Sequence, residues 1–161
     1  MSFDTLDLPS WPATCRLTIP GDPQSKGRPR VYNGHGITPE ATRKAENRVY
    51  SEWRRQYPDL PPYKGPVAIT LIFWTMTRRG RDWDNLAKLF TDALNGVAYE
   101  DDRQIIDANV HVRRPDMLVL GARGPRKRKT GDPLTWHGNP YQACTQAIIN
   151  FQQEYIPIKE D

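Results

Sequence analysis

The chain has 161 residues, enough for one domain with a core and too few for two comfortable ones. Its 37% hydrophobic and 26% charged residues predict a folded chain with much polar surface. Two distant Cys residues indicate neither a disulfide framework nor a zinc site, and no apolar run is long enough to span a bilayer. The sequence therefore predicts a soluble, intracellular protein.

The formal charge of +4 is modest, and its distribution is more informative. Residues 16–55 carry nine Lys or Arg against four acids, and residues 113–129 carry seven against Asp116 alone. Acidic residues concentrate between these basic regions. A polyanion gripped by the flanks, with the acids holding cations, would explain this pattern. A basic surface that serves only solubility is the alternative.

In chain order, residues 1–13 lack periodicity and are predicted to form a flexible arm. The segment "CRLTIPG" is typical of a short strand, and the basic, Gly- and Pro-rich stretch after it predicts a loop. Thr38, Pro39 and Glu40 indicate a helix start, with a hydroxyl cap and Pro at the first helical position. This helix is expected to end near Tyr57, before Pro58.

"VAITLIFWTM" is the most β-prone run and predicts a central strand. Apolar residues at helical spacing between Leu86 and Leu94 predict a second helix that Asn95-Gly96 ends. "IIDANVHVR" alternates like a half-buried strand, and "MLVLG" is a further strand candidate.

The last third contains a basic, breaker-rich stretch, predicted to be a loop near residues 121–138. Asn139-Pro140 precedes a pattern interpreted as a C-terminal helix over residues 140–155. The expected fold is therefore α+β: residues 14–161 form one domain with a small mixed β-sheet, two main helices and an extra C-terminal helix.

The segment "RDWDNLAKLFTDALNGVAYEDDRQI" gathers the acids. An extended backbone would point Asp82 and Asp84 to one side, and a Gly-containing turn would return Asp101 and Asp102 beside them. Carboxylates so placed need a cation, since each raises the pKa of its neighbours. Mg²⁺ suits hard oxygen ligands, and paired ions support phosphodiester hydrolysis. Lys88 would contact the scissile phosphate or help to neutralise the charge that develops during attack.

Each acidic residue also has an ordinary structural explanation. Asp84 suits a helix N-cap, and Lys88 with Asp92 suits an exposed ion pair worth a few tenths of a kcal/mol. Asp101 and Asp102 suit a turn. These explanations cover the residues singly but do not account for their clustering beside two basic regions.

The motifs "DWDNLAK", "TDALNG" and "EDDRQI" resemble those of RusA-type Holliday junction resolvases, which are homodimeric, Mg²⁺-dependent endodeoxyribonucleases of bacteria and their phages. The upstream "IPGDPQSKGRPRV" and "TPEATRKAENRV" are also similar to family sequences. The resemblance spans roughly Arg16 to Arg113 and rests on three ordered motifs.

The resemblance implies that Asp82, Asp84 and Asp102 are metal-binding catalytic carboxylates, that Lys88 is an essential lysine, and that Asp101 assists. It implies a small α+β dimer whose two active sites cut opposing strands of a four-way junction. The expected cofactor is Mg²⁺, with Mn²⁺ as a substitute. The expected partners are branched DNA and a second copy of the chain, without membrane or small-molecule cofactor, in the cytoplasm of a bacterial or phage-infected cell.

Basic residues in three stretches are predicted to contact DNA. They are Lys26, Arg28, Arg30, Arg78, Arg79, Arg81, Arg126, Lys127, Arg128 and Lys129. The chain beyond Arg113 is longer than in compact family members, and its "RGPRKRK" run either tracks phosphates or is a solvated tail. Two rival functions are a broader flap or fork nuclease and a non-catalytic branched-DNA-binding protein.

Overall fold

A computed structural model describes residues 10–152. In chain order the elements are β1 (Thr14–Pro20), β2 (Arg30–Tyr32), β3 (His35–Ile37), α1 (Glu40–Gln56), β4 (Val67–Trp74), α2 (Trp83–Ala93), a 3₁₀ turn (Asp102–Gln104), β5 (Ile105–Arg113), β6 (Leu118–Gly121), β7 (Gly124–Lys127), β8 (Thr135–Trp136), β9 (Asn139–Pro140) and β10 (Cys144–Phe151). No helix of this described part is long and apolar enough to cross a membrane.

A four-stranded mixed sheet in the order β1-β10-β4-β5 is the framework. β4 pairs with β5 in parallel, whereas β10 pairs antiparallel with both β1 and β4. In β4 the side chains of Val67, Ile69, Leu71 and Phe73 are buried on one face. The predicted central position of this strand is confirmed, because β4 lies between β10 and β5.

The two main helices supply the other half of the core. α1 contributes Val49 and Trp53, and α2 contributes Leu86 and Phe90, all of them buried. The predicted α+β class, with a mixed sheet and two main helices, is therefore confirmed. The predicted hydroxyl cap of α1 does not form, because Pro39 occupies the N-cap position and no side chain caps the helix.

The predicted C-terminal helix is wrong. Residues 144–151 form β10, which hydrogen-bonds to a neighbouring strand on each side. Thr145, Ala147, Ile149 and Phe151 are buried in strict alternation, a period-2 pattern that the helical interpretation missed. The β-branched residues of this segment also favour a strand. The last three residues of the predicted helix, 153–155, lie outside the described residues.

Residues between β5 and β10 fold into two short hairpins, β6–β7 and β8–β9. β6 lies in the strand candidate "MLVLG", whereas β7 and β8 lie where the sequence predicted a basic loop. The second hairpin packs against the sheet through Trp136, whose ring lies 5.7 Å from that of Trp74 at 90°. The Arg113 guanidinium lies 4.2 Å from the centre of the same Trp136 ring. Aromatic and cation–π contacts therefore attach this region to the end of the sheet.

The predicted N-terminal arm is described from Ser10 onward, and residues 1–9 lie outside the described part. Trp11 packs edge-on against Tyr63, with ring centres 5.4 Å apart, and its Nε1 donates to the Pro61 carbonyl at 2.9 Å. The end of the predicted arm therefore joins the folded domain.

Candidate active site

Asp82 and Asp84 lie at the first turn of α2. Asp82 occupies the N-cap position, and its carbonyl accepts the N–H of Leu86 at 3.0 Å, yet its carboxylate caps nothing. Asp84 Oδ1 accepts the N–H of Asn85 at 2.9 Å. Both side chains are exposed. Because the helix begins at Trp83, the extended geometry expected for this pair ends at Asp82.

Asp101 and Asp102, which are adjacent in the turn before β5, have different contacts. Asp101 Oδ1 accepts the N–H of Arg103 at 2.9 Å, and Gln104 Oε1 accepts the N–H of Asp101 at 2.8 Å, a reciprocal capping box. The backbone and side-chain hydrogen bonds from Arg103 hold the pKa of Asp101 below its ordinary value. Asp102, in contrast, forms no ion pair with a Lys or Arg of residues 10–152.

Gln104 also fastens this turn to the protein. Its Nε2 donates to the carbonyls of Tyr63 at 2.7 Å and Gly65 at 2.9 Å. Within "DDRQ", Asp101 and Gln104 therefore stabilise the turn through hydrogen bonds. The Asp102 side chain lies on this turn without a cationic partner among the described residues.

Tyr99 connects the same return to α2. Its hydroxyl donates to the Thr91 carbonyl at 2.6 Å, and its side chain is fully buried. Burial raises the pKa of Tyr99 far above its ordinary value, and the charges of Asp102 and Asp92 raise it further. The Tyr99 hydroxyl therefore joins the return before β5 to the second half of α2.

Asp92 is the centre of a charged cluster. Its carboxylate pairs with Lys26 and, at 3.2 Å, with Lys88, while Lys26 lies 3.5 Å from Glu46. Only 18% of the Asp92 side chain is exposed, against 60% for Lys88. The predicted contact of Lys88 with Asp92 is present, but the third partner, Lys26, makes it more than an exposed surface pair.

The pKa shifts agree with this pairing. Burial raises the pKa of Asp92, but hydrogen bonds and charges from Lys26 and Lys88 outweigh it, so the pKa lies below its ordinary value. Burial lowers the pKa of Lys26, and Asp92 with Glu46 more than restores it. Asp92 and Lys26 are therefore both charged near neutral pH. The Asp92 carboxylate also holds the ammonium of Lys88.

The predicted carboxylates do not form a preassembled cage. Within residues 10–152, no group of three or more His, Cys, Asp or Glu side chains is arranged to hold a metal ion. The donor chemistry nevertheless suits Mg²⁺, because Asp82, Asp84 and Asp102 have no cationic partner in this part of the chain. Mg²⁺ is commonly held by one or two carboxylates and completes its shell with water.

The basic residues predicted to contact DNA fall into two groups. Five of them have acceptors in the protein: Lys26, Arg78, Arg81, Arg126 and Arg128. The other five are exposed and make no side-chain hydrogen bond or ion pair within residues 10–152: Arg28, Arg30, Arg79, Lys127 and Lys129. The second group is the more available for phosphates, because no internal contact has to break.

Sequence reasoning missed two contacts that organise this region. Lys26 was interpreted as a DNA contact, although its ammonium pairs with Asp92, 66 residues away. Arg81 pairs with Asp22 at 2.8 Å. Helical spacing revealed the pair of Lys88 and Asp92, but no local pattern points to partners so distant in sequence.

Comparison with known families identifies the chain. The model of the family described as endodeoxyribonuclease RusA matches residues 20–148, which include the whole acidic segment, β4, β5 and the first five residues of β10. Of β1 only Pro20 lies within the match. No curated protein matches the chain. The match covers most of the sequence, and the family acts on branched DNA. The chain therefore belongs to the RusA family of endodeoxyribonucleases, enzymes that resolve Holliday junctions.

Proposed function

We propose that this protein resolves Holliday junctions by Mg²⁺-dependent hydrolysis, with Asp82, Asp84 and Asp102 as metal ligands. The observation that carries the proposal is a contrast within one segment. Asp92 pairs with Lys26 and Lys88, and Asp101 pairs with Arg103, whereas these three carboxylates have no cationic partner within residues 10–152. A carboxylate without a cationic partner is available to bind a metal cation.

When bound, Mg²⁺ supplies Lewis-acid activation of a water and of the phosphate. The protein's contribution is to present the ligands and a cation for the phosphate. Lys88 lies one helical turn from Asp84, and the ammonium of its 60% exposed side chain donates a hydrogen bond to a non-bridging phosphate oxygen. This contact neutralises charge that grows on the phosphate during attack.

Asp92 keeps the Lys88 ammonium on this face of α2. The second cation at Asp92, Lys26, offsets the carboxylate, so Asp92 does not bind Lys88 as tightly as an isolated pair would. Lys88 is therefore restrained but not sequestered. Asp101, which the family resemblance suggested as an assisting ligand, acts by shaping the turn that presents Asp102.

We further propose that two copies of the chain act together, each nicking one of two opposing strands. Paired nicking yields linear duplexes with ligatable ends, whereas independent nicking leaves singly nicked junctions. The mass of the free protein by light scattering and the ligation of its products test this part separately.

Asp102 and Asp101 provide a matched pair for the main test. Each is replaced by Asn, and nicking of a mobile four-way junction is measured with Mg²⁺, Mn²⁺, Ca²⁺ or EDTA. We expect Asp102→Asn to abolish nicking while junction binding stays within about threefold, because the loss is confined to the reaction. Asp101→Asn should retain nicking, because an amide oxygen still caps the turn.

Three outcomes would redirect the proposal. Equal cutting of flaps and four-way junctions would favour the broader nuclease. Absence of cleavage with Mg²⁺ and Mn²⁺ would favour a non-catalytic branched-DNA-binding protein. Full activity of Asp102→Asn would remove Asp102 from the reaction.

A further inference from the structure

We propose that the β2–β3 hairpin, residues 30–37, binds nucleobases that have lost their stacking partners at the branch point of a DNA junction. This inference rests on the branched-DNA substrate of the proposed function and adds the element that recognises the branch. It concerns binding, so it is separable from the metal chemistry.

The hairpin exposes apolar side chains to solvent. Val31 is 77% exposed, Tyr32 68% and Ile37 43%, and every residue of both strands is exposed. Its turn is well formed, since Asn33 and Gly34 have φ values of 50° and 78°, which the tight two-residue hairpin turn requires. Apolar side chains that stay exposed add no buried area to the core and so do not stabilise the fold. Their presence on a hairpin therefore indicates a binding surface.

The charge of the hairpin selects a polyanion. Residues 27–39 contain Arg28, Arg30 and His35 and no acidic residue. Neither arginine makes a side-chain hydrogen bond or ion pair within the described part of the chain. Guanidinium groups beside an aromatic ring suit a nucleic acid, with phosphate contacts from Arg and stacking from Tyr.

The root of the hairpin is fixed beside the candidate active site. The N–H of Lys26 donates to the Asn85 carbonyl at 3.0 Å, and the N–H of Gly27 donates to Thr42 Oγ1 at 3.0 Å. Asn85 follows Asp84 directly, and four residues span at most about 14 Å, so Arg30 begins the hairpin close to the candidate metal ligands. A base bound by the hairpin would therefore belong to DNA near the cut phosphate.

A second exposed aromatic lies within the site itself. Trp83 is 62% exposed and stands between Asp82 and Asp84 in sequence, at the first turn of α2. Aromatic faces on the hairpin and at the active site suit a substrate with unstacked bases. Linear duplex DNA buries its base faces, so this surface would favour a branch over a duplex.

The test measures junction binding in Ca²⁺, with 2-aminopurine placed at the branch point and with a linear duplex as the second substrate. We expect Tyr32→Ala to weaken junction binding at least about fivefold, to leave duplex binding within twofold, and to abolish the change in 2-aminopurine fluorescence. Tyr32→Phe should preserve all three readouts, since it keeps the aromatic face.

Two controls identify the cause of any loss. Leu120→Ala removes an apolar side chain that is 87% exposed on the β6–β7 hairpin, and it should change none of the three readouts. Arg30→Ala should weaken binding to junction and duplex alike, because phosphate contacts do not distinguish the two.

Equal loss on junction and duplex for Tyr32→Ala, or unchanged binding, would overturn the inference. So would a change in the protein's mass on Tyr32→Ala, which would make the hairpin a contact between copies. Failure of the wild type to nick in Mg²⁺ would count against the proposed function alone, since the binding readouts need no hydrolysis.

Discussion

Aspartates in two regions of the molecule differ in whether other groups of the protein bind their carboxylates. The first region, residues 116–140 with the hairpins β6–β7 and β8–β9, is called the hairpin region. In it, Asp132 accepts two hydrogen bonds from Arg126, at 2.8 and 2.9 Å, and one from the Lys129 N–H at 2.7 Å. Asp116 accepts from the Thr135 hydroxyl and from two backbone N–H groups. At the candidate active site, Asp82 and Asp102 have no cationic partner within residues 10–152.

This difference indicates that the aspartates of the hairpin region stabilise the fold. Hydrogen bonds from Arg126 and Lys129 hold the pKa of Asp132 well below its ordinary value, so its charge is used to fold the loop. Part of the "RGPRKRK" charge is likewise used internally, since Arg126 and Arg128 both donate to Asp132. Carboxylates left without such partners are the ones available to a cation.

The largest expected effect comes from the candidate metal ligands. Asp82→Asn should reduce junction nicking by about a thousandfold or more, because a charge that acts during the reaction is removed. Thermal unfolding should stay nearly unchanged, since the side chain is exposed and caps nothing. Cleavage rates and calorimetry check this, and a large loss of stability would contradict the contrast between the two regions.

A smaller effect is expected at Asp92, which both stabilises the fold through Lys26 and positions Lys88 at the candidate active site. Asp92→Asn should destabilise the protein by about 2 kcal/mol, because Lys26 and Lys88 lose a partly buried partner. The matched control is Glu40→Gln in the exposed Glu40–Lys44 pair, where we expect less than about 0.5 kcal/mol. Urea unfolding measures both, and equal effects would mean that burial of the Asp92 cluster is unimportant.

Acid should remove the same stabilisation. Because the pKa of Asp92 is lowered on folding, its contribution is complete above its ordinary pKa of 3.8 and is lost as pH falls through the folded value. The stability difference between wild type and Asp92→Asn should therefore be constant between about pH 5 and 8 and shrink below about pH 4. A constant difference down to pH 2 would show that the charge is not involved.

The smallest effect on catalysis is expected in the hairpin region. Asp132→Ala should lower the midpoint of thermal unfolding, since Arg126 and the Lys129 N–H lose their acceptor. Nicking of junctions should stay within about threefold, because this aspartate serves the loop. A loss of nicking with normal stability would instead place the region in the reaction.

Much of the fold was accessible from local patterns. The bounds of α1, the end of α2 and the position of the central strand followed from periodicity and from Pro and Gly signals, which are local properties. The start of α2 did not, since the helix begins at Trp83 and not after Asp84. β10 was mistaken for a helix because its apolar residues match both a period near 3.6 and a period of 2. Pairing with β1 and β4 decided between the two, and pairing partners are not visible in a local window.

The candidate site shows the same division. The sequence by itself determined the inventory of aspartates, the spacing that pairs Lys88 with Asp92, and the membership in the RusA family. The tertiary structure decided which charged groups form contacts inside the protein. Lys26 and Asp101 have partners there, whereas Asp102 has no cationic partner among the described residues. The physical reason is that a charge is neutralised by whatever lies within a few ångströms, and folding rather than chain order sets those distances.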